Sequence, residues 1–98
     1  MELIESNEEI WKKIDDYEIY SVSTLGRVRN DKTSKILGGY DNGGGYLIVG
    51  LRKNGVKKNH YIHRLVALAF IPNPDDKPYV DHRYNDKTNN RVQSLRWA

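Results

Sequence analysis

The stretch YLIVGLRKNGVKKNHYIH, residues 46–63, restricts the fold more than any other part of the chain. Asn54-Gly55 lies between two runs of strand-forming residues. A two-residue hairpin loop of type I′ needs φ > 0 at both central positions, and Asn-Gly meets that need at small steric cost. Tyr46 to Lys53 and Val56 to Ile62 are therefore predicted as the arms of a β-hairpin. Arg52, Lys53, Lys57 and Lys58 gather near its tip. A two-stranded ribbon of this kind can enter a DNA groove.

Charge sharpens that reading. The net charge is only +3 and the pI about 9.2. Yet residues 51–66 carry Arg52, Lys53, Lys57, Lys58 and Arg64 with no acid, while residues 1–18 are acid-rich. A local cationic surface is a polyanion footprint. Lysines that guard a solvated sheet edge give the same pattern, and charge alone does not separate the two.

HRLVALAFI, His63 to Ile71, is the one convincing helix pattern, stopped by Pro72 and Pro74. Apolar residues cover most of its circumference, so it is expected to be largely buried. Upstream, EEIWKKI reads as a short helical turn or an irregular lead-in, with Trp11 and Ile14 inward. YEIYSVS, GRVRN and KIL read as short strands joined by turns at STLG and NDKTSK. In GRVRN, Val28 points inward and Arg27 and Arg29 outward. GGYDNGGG is a weak phosphate-loop candidate, since no Gly-Lys-Ser/Thr ending and no helix pattern follow it; a connection between strands is the better reading. PYVDH and LRWA read as strands, with a polar loop between them and a helical turn near Asn89 to Val92.

At 98 residues the chain suits one small domain. No Cys is present, which excludes disulfides and Cys-ligated zinc. The N-terminal residues MELIESNEEIWKK lack the apolar segment of a signal peptide, and Leu65 to Ile71 is far too short to span a bilayer. The expectation is an intracellular protein, neither secreted nor membrane-bound. The fold class expected is α+β, built of small antiparallel sheets and hairpins around one buried helix.

The chemistry gathers in VDHRYNDKTNNRVQSLRWA, Val80 to Ala98. A carboxylate such as Asp81 can hold a divalent metal through oxygen. A neutral imidazole such as His82 can take a proton from water. Phosphodiester hydrolysis needs both roles. Asn89, Asn90 and Ser94 are candidates to fix the imidazole tautomer, and Arg91 or Arg96 to hold a phosphate oxygen. Taken alone, an Asp-His pair is more often structural. His63 reads as a helix-start packing residue, and His60 as a surface or DNA-facing one.

The order of these segments closely resembles HNH endonucleases of the phage intron-encoded homing type. The resemblance is carried by Tyr61-Ile62-His63-Arg64-Leu65-Val66-Ala67 with Phe70-Ile71-Pro72-Asn73-Pro74, then Val80-Asp81-His82, Asp86 to Val92, and Leu95-Arg96-Trp97. Trp11 to Ile14, Tyr17 to Ser23 and Leu25 to Arg29 resemble the modular DNA-binding motif that precedes such nucleases. Residues 1–45 would then be the DNA-binding motif and 46–98 the nuclease domain. The resemblance implies a ββα-metal site that hydrolyses, by nicking, double-stranded DNA with Mg²⁺ or Mn²⁺. His82 would be the general base, Asp81 the metal ligand, and Ser94, in the place of the family's middle Asn, the residue that orients His82. Arg27, Arg29, Arg52, Lys53, Lys57, Lys58, Arg91 and Arg96 would contact DNA. The family's final ligand lies on a helix after the last strand, and no residue here can be assigned to it. A second copy or a partner chain could complete the site, or the chain could be a DNA-binding module that does not cut.

Overall fold

A computed structural model describes residues 8–98; the expectation that residues 1–7 are frayed lies outside the described residues. Three small antiparallel sheets surround one helix. The first sheet is a meander of β1 (Trp11–Lys13), β2 (Tyr20–Ser23), β3 (Val28–Asn30) and β4 (Lys35–Leu37). The second joins β5 (Tyr40–Asp41), β6 (Leu47–Lys53) and β7 (Val56–Tyr61). Helix α1 (Ile62–Phe70) follows without a loop, and β8 (Val80–His82) pairs with β9 (Leu95–Trp97). The fold is α+β, as expected.

The hairpin forms as its turn chemistry dictates. Asn54 and Gly55 have φ of 54° and 79°, and Lys53 faces Val56 across the turn. Strand alternation sends Val49 and Leu51 into the core. It also divides the hairpin's cations. Arg52 opposes Lys57 on one face of the ribbon, while Lys58, opposite Leu51, lies with Lys53 on the other.

The core crosses all three sheets. Val22 and Val28 from the meander, Val49 and Leu51 from the hairpin, Ile62, Leu65 and Val66 from α1, and Leu95 from β9 form one buried cluster. Further bonds fix the helix. Lys12 Nζ donates to the Ala69 carbonyl at 2.9 Å, a cation at the negative end of α1. Trp97 Nε1 donates to the Ile71 carbonyl at 2.9 Å. Among the described residues no helix is long and apolar enough to cross a membrane.

Two local expectations need correction. Trp11–Lys13 is a strand, because its backbone is taken up by β2 with Trp11 opposite Ser23, a pairing that local sequence does not encode. Helix α1 is largely buried, as expected, except at Leu68, which is 63% exposed. The helical turn in the polar loop is a 3₁₀ turn at Val92–Ser94, further along than expected, because Asn89 and Asn90 form the loop that leads into it.

Candidate functional site

The site forms where β8 ends and the polar loop begins. His82 closes β8 opposite Leu95 and is buried. Its Nε2 lies 2.8 Å from Asn90 Oδ1, in a buried hydrogen bond. A carbonyl-type oxygen only accepts, so this bond calls for a proton on Nε2. In that tautomer of a neutral ring the lone pair is on Nδ1. The loop that delivers Asn90 is braced by its own short bonds. Asp86 Oδ1 accepts from the Thr88 amide at 3.1 Å and from its hydroxyl at 2.7 Å, and the Asn89 amide donates to the Asp86 carbonyl. These Thr88 bonds hold the Asp86 carboxyl below the usual carboxylate range, with a smaller pull from His82.

Ser94 was the residue expected to steady His82, and it does not occupy that place: the ring bond comes from Asn90. Ser94 is the last residue of the 3₁₀ turn before β9; it is buried, and its backbone carbonyl accepts from the Arg83 amide at 2.8 Å.

His63 also joins the site, which the sequence reading gave only a packing role. Its ring centroid is 4.9 Å from that of His82, with Tyr46 at 5.3 Å and Tyr61 at 5.2 Å. Tyr46 in turn lies 5.9 Å from His82. Burial, and then the neighbouring His82 and Arg64, push the His63 imidazole down to about 4. Its Nδ1 is buried and has no hydrogen-bond partner among the described residues. Lys87 Nζ covers the Tyr46 ring at 4.7 Å and donates to the Gly44 carbonyl at 3.0 Å, tying the glycine-rich segment to the polar loop. That segment turns its amides on its own carboxylate. Asp41 Oδ1 accepts from Gly43 and Gly45 at 2.7 and 2.9 Å, which leaves no cradle there for a phosphate.

Asp81 faces the other way from His82. It sits opposite Arg96 across the strand pair, and Arg96 Nε and Nη2 each approach Asp81 Oδ2 at 3.0 Å. Among the described residues no three His, Cys, Asp or Glu side chains gather to hold an ion. A single carboxylate, already paired with a guanidinium, does not fit a divalent metal by itself.

The expected DNA contacts fall into two groups. Arg52, Lys53, Lys57 and Lys58 are exposed at the hairpin tip. Arg27 and Arg29 are committed within the meander, where both stack on Trp11, Arg29 at 4.1 Å and Arg27 at 5.5 Å from the ring centre. Arg27 also pairs with Glu9, and Arg29 with Asp31 at 3.0 Å. Each could reach a phosphate only in competition with a carboxylate. Arg96 is held by Asp81, and Arg91 is exposed beside the 3₁₀ turn. His60 departs from expectation. Its Nε2 is 2.8 Å from the Tyr17 hydroxyl, and it is half-buried between hairpin and meander because Val49, its cross-strand neighbour, faces the core.

Comparison with known proteins finds relatives for the chain. Residues 9–52 match the NUMOD4 motif. The chain is 40% identical over 88 residues to an uncharacterized HNH endonuclease, L245, of Acanthamoeba polyphaga mimivirus, covering 90% of this chain and 26% of that protein. It is 40% identical over 89 residues to the DNA endonuclease I-HmuI of Bacillus phage SP01, covering 90% of this chain and 51% of the relative. A solved structure of the HNH homing endonuclease I-HmuI, described as showing DNA binding and cleavage, superposes with a TM-score of 0.85 at 38% identity. That match covers 91% of this chain and 52% of the other. The chain thus spans from about a quarter to about half the length of these relatives.

Proposed function

We propose, for a chain that is a NUMOD4-bearing homologue of the HNH homing endonucleases, that it grips double-stranded DNA and hydrolyses a phosphodiester bond with His82 as general base. The observation that carries this is the buried bond between His82 Nε2 and Asn90 Oδ1. With its proton held on Nε2, the ring presents a lone pair at Nδ1, the form a general base requires. His82 Nδ1 would take a proton from water as the water oxygen bonds to phosphorus. The bond from phosphorus to the leaving sugar oxygen then breaks, and that oxygen takes a proton from solvent water. Asn90, in place of Ser94, is the residue that orients the base. One such site acts on one strand, hence nicking.

The relatives' names carry DNA endonuclease chemistry, and the family implies a divalent ion, Mg²⁺ or Mn²⁺, with Asp81 as ligand. The Asp81–Arg96 pair means that an ion would have to displace Arg96 or draw its oxygens from DNA phosphate, water or protein outside the described residues. A second copy or a partner chain is one source. The hairpin cations Arg52, Lys53, Lys57 and Lys58 supply the grip. They lie on both faces of the ribbon, which suits a ribbon set between two phosphate walls. Arg27, Arg29 and Arg91 extend it. The proposed division is a DNA-binding motif over 1–45 and a nuclease part over 46–98, acting inside a host cell.

A second reading, a DNA-binding module that does not cut, is favoured by the same Asp81–Arg96 pair. Conversion of supercoiled plasmid to open circle with Mg²⁺ or Mn²⁺ separates the two. The expected result is nicking by this chain, only a small residual rate by His82→Ala, and plasmid binding by both. Binding without nicking by the unaltered chain would favour the module, and equal nicking by His82→Ala would remove His82 from its role.

A further inference from the structure

The turn between β2 and β3 belongs to the NUMOD4 region, far in sequence from the polar loop, yet the two are interlocked. The Val92 amide donates to the Thr24 carbonyl at 3.0 Å. Gly26 lies directly beneath Asn90. A Cβ placed on it would stand 2.8 Å from the Asn90 carbonyl oxygen and 2.9 Å from the Asn90 Cβ. Gly26 also has φ of +83°, which a side chain opposes. Glycine is needed at this position twice over, for the turn and for the close approach.

The turn itself is held firmly. Ser23 Oγ accepts from the amides of Leu25 and Arg27, both at 3.2 Å, and donates to Glu9 Oε2 at 2.7 Å. Thr24 Oγ1 accepts from the Ile10 amide at 3.1 Å and donates to the Glu8 carbonyl at 3.2 Å. Ser23 and Thr24 are almost fully buried, as is Asn90. A braced turn therefore seats Asn90, whose side chain bonds the His82 ring.

We infer that the Ser23–Gly26 turn is a positioning element for His82: it fixes Asn90 and, through Asn90 Oδ1, holds the imidazole proton on Nε2. The DNA-binding motif thereby sets the tautomer of the base as well as contributing contacts. This rests on the reading of His82 given above. Second-sphere groups that orient a reactive imidazole typically change activity by roughly 10–100-fold when lost.

The test reads the ring directly. In protein with ¹⁵N-labelled histidine, two-bond ¹H–¹⁵N correlations distinguish the protonated from the bare nitrogen, at a pH where imidazole is neutral. Wild type should show His82 as the Nε2–H form alone. Gly26→Ala, which drives a Cβ into Asn90, should show a mixture with the Nδ1–H form. Gly43→Ala introduces a similar positive-φ penalty, at +99°, with nothing within 4 Å, and should leave His82 unchanged. Should Gly26→Ala not fold, Gly26→Asn carries the same Cβ on a residue that tolerates φ > 0, and the same mixture is expected. Plasmid nicking by the Gly26 variant should fall roughly 10–100-fold with DNA affinity kept.

An unchanged single tautomer in the folded Gly26 variant would overturn the positioning role. So would a mixture equally present in Gly43→Ala. Because the spectrum needs neither DNA nor cleavage, it judges this role even if His82→Ala nicks like wild type and the functional reading fails. A wild-type ring protonated on Nδ1 would overturn both.

Discussion

Arg96 stands opposite Asp81 across the β8–β9 pair and meets its Oδ2 with both Nε and Nη2 at 3.0 Å. The pair is partly exposed on both sides, so its contribution to stability is small, about 0–1 kcal/mol. Its effect on ion binding should be larger, since a guanidinium already neutralises the one candidate carboxylate. Arg96→Gln should leave the melting temperature within a few degrees of wild type while strengthening Mn²⁺ binding, read by the loss of the free-ion electron paramagnetic resonance signal. Unchanged Mn²⁺ binding would mean that Asp81 is not where an ion sits.

His63 makes stability depend on pH. Folding pushes its imidazole from an ordinary 6.5 down to about 4, chiefly by burial. Between those values the unfolded chain binds more protons than the folded one, so stability rises with pH. It is fully present above about 6.5 and is lost as pH falls toward about 4. At about 1.4 kcal/mol for each unit, the loss reaches up to about 3 kcal/mol. His60, also lowered by burial, acts in the same direction. His63→Phe should flatten the denaturant-midpoint profile over this range. A profile equally steep in the variant would show that other groups cause it.

The hairpin cations predict a salt dependence. Each phosphate contact contributes about 0.9 to the slope of log K against log salt. Lys57→Ala with Lys58→Ala should therefore lower the slope by up to about 2, whatever the DNA sequence. A slope that stays put would place the DNA elsewhere on the molecule.

Much of this fold could be read from local chemistry. Asn54-Gly55 fixes the hairpin because few other dipeptides accept both turn conformations, and Pro72 and Pro74 mark the end of α1. Val28 between Arg27 and Arg29 shows its strand by alternation alone. What escaped the sequence depends on partners distant along the chain. Trp11–Lys13 becomes a strand only because β2 lies beside it. Glu9 and Asp31 take up arginines that look free when only their neighbours are read. In the site, Asp81 and His82 were legible as residues, and strand alternation sets neighbours on opposite faces, but the partners those faces meet, Arg96 on one side and Asn90 on the other, were not fixed by the sequence. His63 enters the site through the ring packing of Tyr46 and Tyr61, for which no motif spacing gives a sign. Asn90 was named among three candidate partners of His82; choosing it required the folded path of the polar loop, which brings Asn90 Oδ1 to His82 Nε2.

If Asn90 works through His82, the two residues cannot act independently on cleavage. A double-mutant cycle on plasmid nicking rates measures this, with wild type, Asn90→Ala, His82→Ala and the double variant each confirmed as folded. Asn90→Ala should slow nicking roughly 10–100-fold in the wild-type background and not at all beyond the residual rate of His82→Ala. An undiminished further loss in the double variant would show instead that Asn90 acts on cleavage by a route that does not pass through the imidazole.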